Sequence, residues 1–218
     1  MKKGLIELVA ILDMSGSMAH LTDDTIGGYN SMLKQQQKAD NQVLVTTYVF
    51  NNNYRIIHDR VPLDQIPMLT AKDYCPSGCT ALMDAMGDAI KHIAGIHHYA
   101  REEDIPEHTV FFITTDGMEN ASRRYSSDDI KRMVQHEEEK YGWDFIYLAS
   151  NIDAVETAGR YGIKREKSID FVPDGAGVSE VFKTARYSLV NVAGNRNLEK
   201  DLSWRAHADS DYRERRKR

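Results

Sequence analysis

Residues 8–20 have the sequence LVAILDMSGSMAH, and this stretch decides the fold. It continues a short, nearly unbroken apolar run, Leu5 to Leu12, which is typical of a central parallel strand covered on both faces. The run ends on Asp13, and Ser15 and Ser17 follow within a single turn. A buried strand that stops on a carboxylate next to two hydroxyls indicates either a helix cap or a site for a hard metal ion.

The composition predicts one soluble domain with a substantial core. The chain has 218 residues, of which 41% are hydrophobic and 28% are charged. Lys and Arg number 28 against 33 Asp and Glu, which gives a net charge of −5. Because an acidic protein has no overall positive field, the composition does not favour a nucleic-acid partner, and the basic residues 212–218 are the only feature that keeps this alternative open. The composition gives no indication of the oligomeric state.

The sequence also predicts a cytoplasmic location. No stretch approaches the roughly 20 apolar residues that a membrane span requires. Lys2 and Lys3 precede an apolar run, but that run contains Glu7 and has no clear cleavage pattern, so we expect no signal peptide. The only two cysteines, Cys75 and Cys79, exclude a disulfide scaffold, and we expect two reduced thiols rather than a redox switch.

Strand-like and helix-like periodicity alternate along the chain. Strands are predicted at residues 5–12, 43–50, 54–61, 108–115, 143–150 and 167–172. Helices are predicted at about 23–38, 80–99, 127–141, 153–162 and 178–192. The second and third strands flank the turn signal Asn51–Asn53 and therefore predict a hairpin at a sheet edge. Alternating strands and helices predict an α/β fold, a Rossmann-like, doubly wound three-layer sandwich with a mainly parallel sheet.

The predicted domain covers residues 1–194. From residue 195 to 218 the chain is polar and basic, and Trp204 is its largest apolar side chain. We expect this segment to be a loosely docked or disordered tail.

Three polar segments fall where predicted strands or loops reach the same rim of the sheet. DMSGS supplies Asp13, Ser15 and Ser17, GCTAL supplies Thr80, and TTDG supplies Asp116. In doubly wound sheets, ligands bind beyond the carboxyl ends of the strands, so we expect these side chains to converge. All five offer oxygen, which favours Mg²⁺ or Mn²⁺ over zinc or copper. Because three of the five are neutral hydroxyls, the ion would keep a position for water or an outside anion.

These motifs, in this order, resemble the metal-ion-dependent adhesion site of von Willebrand factor A domains. The resemblance covers about Leu5 to Gly194, every position of the motif is present, and the chain is similar to small stand-alone bacterial or phage members. It implies that Ser15 and Ser17 bind the ion directly, that Thr80 binds directly or through water, and that Asp13 and Asp116 act largely through water. It further implies one antiparallel edge strand and a protein partner that offers an Asp or Glu carboxylate as the sixth ligand.

Competing interpretations remain open at this stage. Ser15, Ser17 or Thr80 could cap the helices that follow them. The same rim could belong to a Mg²⁺-dependent phosphoester hydrolase, although the three motifs contain no Lys or Arg to bind phosphate and no phosphate-binding glycine loop. We therefore predict a binding module and not an enzyme.

Several other polar residues near these motifs have two interpretations each. Asp84, Glu119 and Asn120 could support the metal site or could be exposed. Gly27 and Gly28 could let their helix pack closely or could break it. The histidines of the long helix, His92, His97 and His98, favour a surface cluster over a metal site.

Overall fold

The computed structural model describes residues 1–39, 42–150 and 153–216. Within these ranges a six-stranded sheet has the order β3-β2-β1-β4-β5-β6. The neighbouring strands are parallel except for β2 and β3, which pair antiparallel at one edge. The strands are β1 Lys2–Asp13, β2 Gln42–Phe50, β3 Tyr54–Pro62, β4 Pro106–Thr115, β5 Asp144–Ala149 and β6 Ser168–Asp170. The predicted fold class and the antiparallel edge strand are confirmed.

Helices cover both faces of the sheet. The helices are α1 Thr22–Gln36, α2 Leu82–Tyr99, α3 Ser127–Tyr141, α4 Ala154–Arg160, α5 Gly175–Ala193 and α6 Ala206–Arg215. One hydrophobic cluster joins the sheet to α1, α5 and α6, and a second joins the opposite face to α2, α3 and α4. No helix in the described ranges combines the length and the apolar character that crossing a bilayer demands.

Strand β1 shows why the apolar run belongs at the centre. Leu8, Ala10 and Leu12 point into the first cluster, whereas Val9 and Ile11 point into the second. Successive side chains of a strand face opposite sides, so a strand buried on both faces needs apolar residues at every position.

Helices α1 and α5 pack closely against each other because of Gly28. A Cβ placed on Gly28 would lie 2.5 Å from the ring of Phe182, whereas a Cβ on Gly27 would meet no atom within 4 Å. Helix α1 is continuous through both glycines. Close packing is therefore the role of Gly28, and the glycine pair does not break the helix.

The C-terminal segment differs from the expected loosely docked tail in the part that the structure describes, 195–216. The Trp204 side chain is 1% exposed, and its indole Nε1 donates to the backbone oxygen of Leu198 at 3.0 Å. Arg215 of α6 forms an ion pair with Asp174, which caps the start of α5. Burial of a large aromatic ring holds this segment on the domain although its composition is polar. Lys217 and Arg218, the end of the predicted tail, lie outside the described residues.

Candidate metal centre

The candidate centre lies where the strand order reverses. Strands β1 and β4 are parallel neighbours, with Leu12 opposite Thr114, but the chain moves from β1 first to β2 on the other side. Asp13 is the last residue of β1, and Asp116 follows the last residue of β4. The two carboxylates are thus placed at adjacent carboxyl ends, at the kind of position where open α/β sheets bind ligands.

Hydrogen bonds join four of the five predicted site residues. The backbone N–H of Ser15 donates to Oδ1 of Asp13 at 2.7 Å, and the hydroxyls of Ser15 and Ser17 lie 3.1 Å apart. The Ser17 hydroxyl donates to Oδ1 of Asp116 at 2.5 Å. The loop after β1 therefore brings the Ser17 hydroxyl to the carboxylate that follows β4 and places the Ser15 hydroxyl beside it.

The fifth residue, Thr80, reaches the same place from the loop before α2. A Cβ placed on Gly117 would lie 3.4 Å from the Thr80 hydroxyl and 3.6 Å from the Ser17 hydroxyl. Asn120 fixes this loop, because its Oδ1 accepts from the Thr80 N–H at 2.9 Å and its own N–H donates to the Thr80 carbonyl at 3.0 Å. All three segments predicted to meet do so.

Gly78 allows the loop before α2 to approach the first loop. Its carbonyl accepts the N–H of Gly16 at 3.0 Å, and its φ of +75° lies in the left-handed region that favours glycine. A Cβ there would stand 2.1 Å from Oδ1 of Asn52. A side chain at Gly78 would disturb the contact between the two loops.

Asp13 is completely buried, and burial raises the pKa of its carboxyl to about 6. Hydrogen bonds from Thr115 and Ser15 act in the opposite direction, and the nearby Asp116 carboxylate raises the pKa further. The Thr115 hydroxyl donates to Oδ2 of Asp13 at 2.5 Å, and the Tyr74 hydroxyl donates to its backbone oxygen. A divalent ion nearby would favour the ionised carboxylate.

Thr115 and Tyr74 were not predicted from the sequence. The doublet Thr114–Thr115 before Asp116 offers a weak signal, since one hydroxyl at the end of a buried strand must face each side of the sheet. Tyr74 lies in a loop without periodicity, and its role depends on tertiary contacts alone.

Helix capping does not explain the three hydroxyls. Helix α1 starts at Thr22 with Leu21 at its cap position, and Ser15, which precedes a short 3₁₀ turn, makes no capping hydrogen bond through its side chain. Helix α2 is preceded by Ala81 at the cap position, not by Thr80. The hydroxyls of Ser15, Ser17 and Thr80 therefore do not cap the helices that follow them.

Asp84 and Glu119 anchor the loop after β4 to the start of α2. Asp84 accepts the backbone N–H groups of Arg123, Arg124 and Tyr125, at distances of 2.9 to 3.2 Å. Glu119 accepts from the N–H groups of Met83, Ala121 and Ser122. Both side chains fix the backbone around the site, whereas Asn120 contacts Thr80, a predicted ligand residue, directly.

The donor set fits a hard cation. It consists of two carboxylates and three hydroxyls, all oxygen. The Ser17 hydroxyl lies within hydrogen-bonding distance of Ser15 and Asp116, and the Thr80 and Ser17 hydroxyls both lie beside Gly117. The described ranges contain no group of three or more His, Cys, Asp or Glu suited to a metal, so a zinc-type site is not an alternative there. Ser17 is exposed while Asp13, Ser15, Thr80 and Asp116 are buried, and the centre therefore opens at Ser17.

Comparisons with known proteins support the fold at low sequence identity. No protein-family model matches the sequence, and no curated protein matches it. The structure is similar to a mutant of the PilB minor pilin from Streptococcus sanguinis, with a TM-score of 0.63, 11% identity and coverage of 90% of this chain and 64% of that one. It is also similar to a von Willebrand factor type A protein from Catenulispora acidiphila, with a TM-score of 0.55, 16% identity and coverage of 88% and 43%.

A third similar structure is the von Willebrand factor domain of the type V pili tip protein Mfa5 from Porphyromonas gingivalis. Its TM-score is 0.63 at 9% identity, and the match covers 90% of this chain and 98% of that one. The chain thus spans less than two thirds of the pilin and of the Catenulispora protein, but nearly the whole of this single domain. From these neighbours and from its sheet order, the chain has the fold of von Willebrand factor A domains.

Proposed function

We propose that this protein is a binding module that holds Mg²⁺ or Mn²⁺ through Asp13, Ser15, Ser17, Thr80 and Asp116. The observation that carries the proposal is the convergence of three hydroxyls and two carboxylates, from three separate segments, at the strand-order reversal. The absence of a capping role for those hydroxyls in the described helices strengthens it. The similarity to a pilin and a pilus tip domain supports an interaction role over catalysis.

The partner that this centre favours is a protein carboxylate, from Asp or Glu. If Ser15, Ser17 and Thr80 are the direct ligands, the groups that touch the ion are neutral, and its charge is only partly balanced by Asp13 and Asp116 through water. Mg²⁺ takes about six oxygen ligands, so positions remain for an outside group. Because Ser17 is the exposed member, we expect the partner to approach from its side.

Metal binding is tested by isothermal titration calorimetry with magnesium and manganese chloride. The wild type should give saturable heat, and Ser15→Ala/Ser17→Ala should give none. Ser31→Ala, an exposed serine of α1 outside the site, is the matched control and should bind as the wild type does. Equal binding by the double variant would refute the proposed ligand set.

Partner binding is tested by affinity capture with and without chelator. Captured proteins should be lost on chelation and with the double serine variant, and should return when Mg²⁺ is restored. In a purified complex, replacing one Asp or Glu of the partner by its amide should abolish binding. A partner that ignores both chelation and the double variant would contradict the proposal.

The alternative, a Mg²⁺-dependent phosphoester hydrolase, has a separate readout. Turnover of a phosphate ester that requires added Mg²⁺ and disappears in Asp13→Ala would favour the enzyme. We also propose that the protein acts in the bacterial cytoplasm, and the free, exposed thiols of Cys75 and Cys79 support a reducing compartment.

A further inference from the structure

A cavity lies at the end of the sheet opposite the candidate metal centre, where the parallel strands begin. It has a volume of about 720 Å³ and is enclosed by the C-terminal ends of α2 and α3 and the start of β4. This volume is within the range of small-molecule sites. No residue of the candidate metal centre lines it, so it is a separate feature of the molecule.

Aromatic side chains form its wall and its mouth. The Trp143 ring is 4% exposed, stacks on Phe111 at 5.3 Å between ring centroids and meets His97 edge-on at 5.4 Å. Tyr99 and Tyr141 also line the cavity and are 88% and 52% exposed. Large aromatic side chains exposed to water beside a fixed buried one are typical of a binding surface, because burying them releases free energy.

Glu137 supplies a polar group without a partner in this cavity. It belongs to the buried face of α3, it is 6% exposed, and its Oε2 has no hydrogen-bond donor among the described residues. A buried carboxyl oxygen without a donor costs free energy, since it has lost water and gained nothing in exchange. Burial raises the pKa of Glu137, although His136, His97 and Lys140 oppose this change.

The three cationic groups that act on Glu137 have other contacts, and His136 meets the Tyr141 ring edge-on at 5.9 Å between ring centroids. His97 Nε2 lies 2.6 Å from Oε2 of Glu7, and the Lys140 ammonium lies over the Tyr141 ring, 4.9 Å from its centroid. Neither donates a hydrogen bond to Oε2 of Glu137 in the described structure. An occupant of the cavity that carries a donor would therefore satisfy this oxygen of Glu137.

We infer that this cavity is a binding site for a small aromatic amine, whose flat ring packs among Trp143, Tyr141 and Tyr99 and whose nitrogen donates to the Glu137 carboxylate. The ring requirement follows from the aromatic lining, and the amine requirement follows from the unsatisfied carboxyl oxygen. This inference is independent of the proposed metal centre.

Calorimetric titration with two matched probes tests the ligand class. Tryptamine carries an indole and an ammonium group, whereas indole-3-propionate carries the same ring and a carboxylate. Tryptamine should bind saturably, and indole-3-propionate should bind at least about tenfold more weakly, since a charge-assisted hydrogen bond is replaced by like-charge repulsion. Absence of saturable tryptamine binding below about 10 mM, or equal binding of the two probes, would overturn the inference.

Two variants test the location. Glu137→Gln keeps the shape of the side chain and should weaken tryptamine binding about tenfold. Gly95→Leu fills the cavity: Gly95 lines it, and a Cβ placed there meets no atom within 4 Å. This variant should abolish binding.

The matched control for the cavity-filling variant is Gly27→Leu. Gly27 is an exposed helical glycine with equally open space, on α1 outside the cavity, and its replacement should leave tryptamine binding unchanged. Thermal unfolding of each variant establishes that it is folded. Tryptamine binding that survives in folded Gly95→Leu, or that is lost equally in Gly27→Leu, would refute the assignment of the site.

Discussion

Two clusters of acidic side chains in this protein have their negative charge stabilised in different ways. The lysine cluster consists of Lys167, Glu138, Asp144 and Glu199. The Lys167 ammonium is 4% exposed and lies 2.8 Å from Glu138, 2.9 Å from Asp144 and 3.1 Å from Glu199. At the candidate metal centre, by contrast, the described donors to the Asp13 carboxylate are the neutral hydroxyl of Thr115 and the N–H of Ser15.

The causes of the pKa shifts of Lys167 and Asp13 reflect this difference between the two clusters. Burial alone would lower the pKa of Lys167, but Asp144 and Glu138 outweigh it and raise that pKa, so the cluster contains its own counter-ion. Burial raises the pKa of Asp13 to about 6, since neutral donors only partly replace water. An acidic cluster with an internal cation is a structural element, whereas one with hydroxyls in place of a cation is suited to an ion from outside.

The largest effect should come from removing the internal cation. Lys167→Met should lower the free energy of unfolding by about 3–5 kcal/mol, because it leaves the Glu138 and Asp144 carboxylates without their cation. Urea denaturation measures this. The control is Lys183→Met, which removes a half-exposed partner of Glu180 and should cost less than about 1 kcal/mol. Similar losses in the two variants would remove the contrast between a structural cation and a surface pair.

The second effect should come from adding the external cation. Mg²⁺ at about 100 times its dissociation constant should raise the free energy of unfolding by about 2.7 kcal/mol in the wild type. The same addition should not stabilise Ser15→Ala/Ser17→Ala. Urea denaturation with Mg²⁺ and with chelator measures the difference, and stabilisation of both proteins would mean that the ion binds elsewhere.

A smaller effect should follow from removing one donor to Asp13. Thr115→Val deletes the hydroxyl that bonds Oδ2 of Asp13, and it should cost about 2 kcal/mol and weaken Mg²⁺ binding about tenfold. Thr114→Val, one residue earlier on the same strand, is the control, since its side chain faces the other side of the sheet and is not a described donor to Asp13. Calorimetry measures the Mg²⁺ affinity of the two variants, and urea denaturation measures their free energies of unfolding. Equal effects would mean that the losses of affinity and stability come from strand packing.

The smallest effect concerns Glu137, a buried acid that belongs to neither cluster. Its Oε2 has no hydrogen-bond donor among the described residues. Burial raises its pKa, so its ionisation opposes folding: the cost is absent below the pKa of the unfolded chain and appears as pH rises through the raised folded value. Glu137→Gln should therefore gain stability relative to the wild type between about pH 4 and pH 8. Urea denaturation at both pH values checks the sign, and a difference that shrinks as pH rises would contradict it.

Much of the fold was accessible from the sequence because its signals are local. The run Leu5–Leu12 lies within β1, and the hairpin around Asn51–Asn53 joins two consecutive strands, so each signal is contained in a short stretch of the chain. The predicted strand 167–172 shortens to Ser168–Asp170, and the predicted last helix starts earlier, at Gly175, where Asp174 caps it. Element ends depend on such caps and on neighbours, so the pattern locates them less well.

The C-terminal segment shows where composition misleads. Its polar sequence predicted a tail, yet one indole buried against the domain and one ion pair to the cap of α5 hold it in place. The histidines of α2 are a similar case, because they do not form the expected surface cluster. His97 forms a hydrogen bond with Glu7, and His92 forms one with Asp59. Asp174, Glu7 and Asp59 are each distant in sequence from the residues that contact them.

The sequence by itself determined the class of the fold and the chemistry of the oxygen-rich residues on one rim, because strand periodicity and side-chain type are written residue by residue. Only the tertiary structure decided that Thr80 and Ser17 face one point, that Thr115 and Tyr74 hold Asp13, and that Glu137 opens onto a cavity at the far edge. The physical reason is that each of these depends on which segments the sheet order makes neighbours, and distances across the sheet are not encoded in any local pattern.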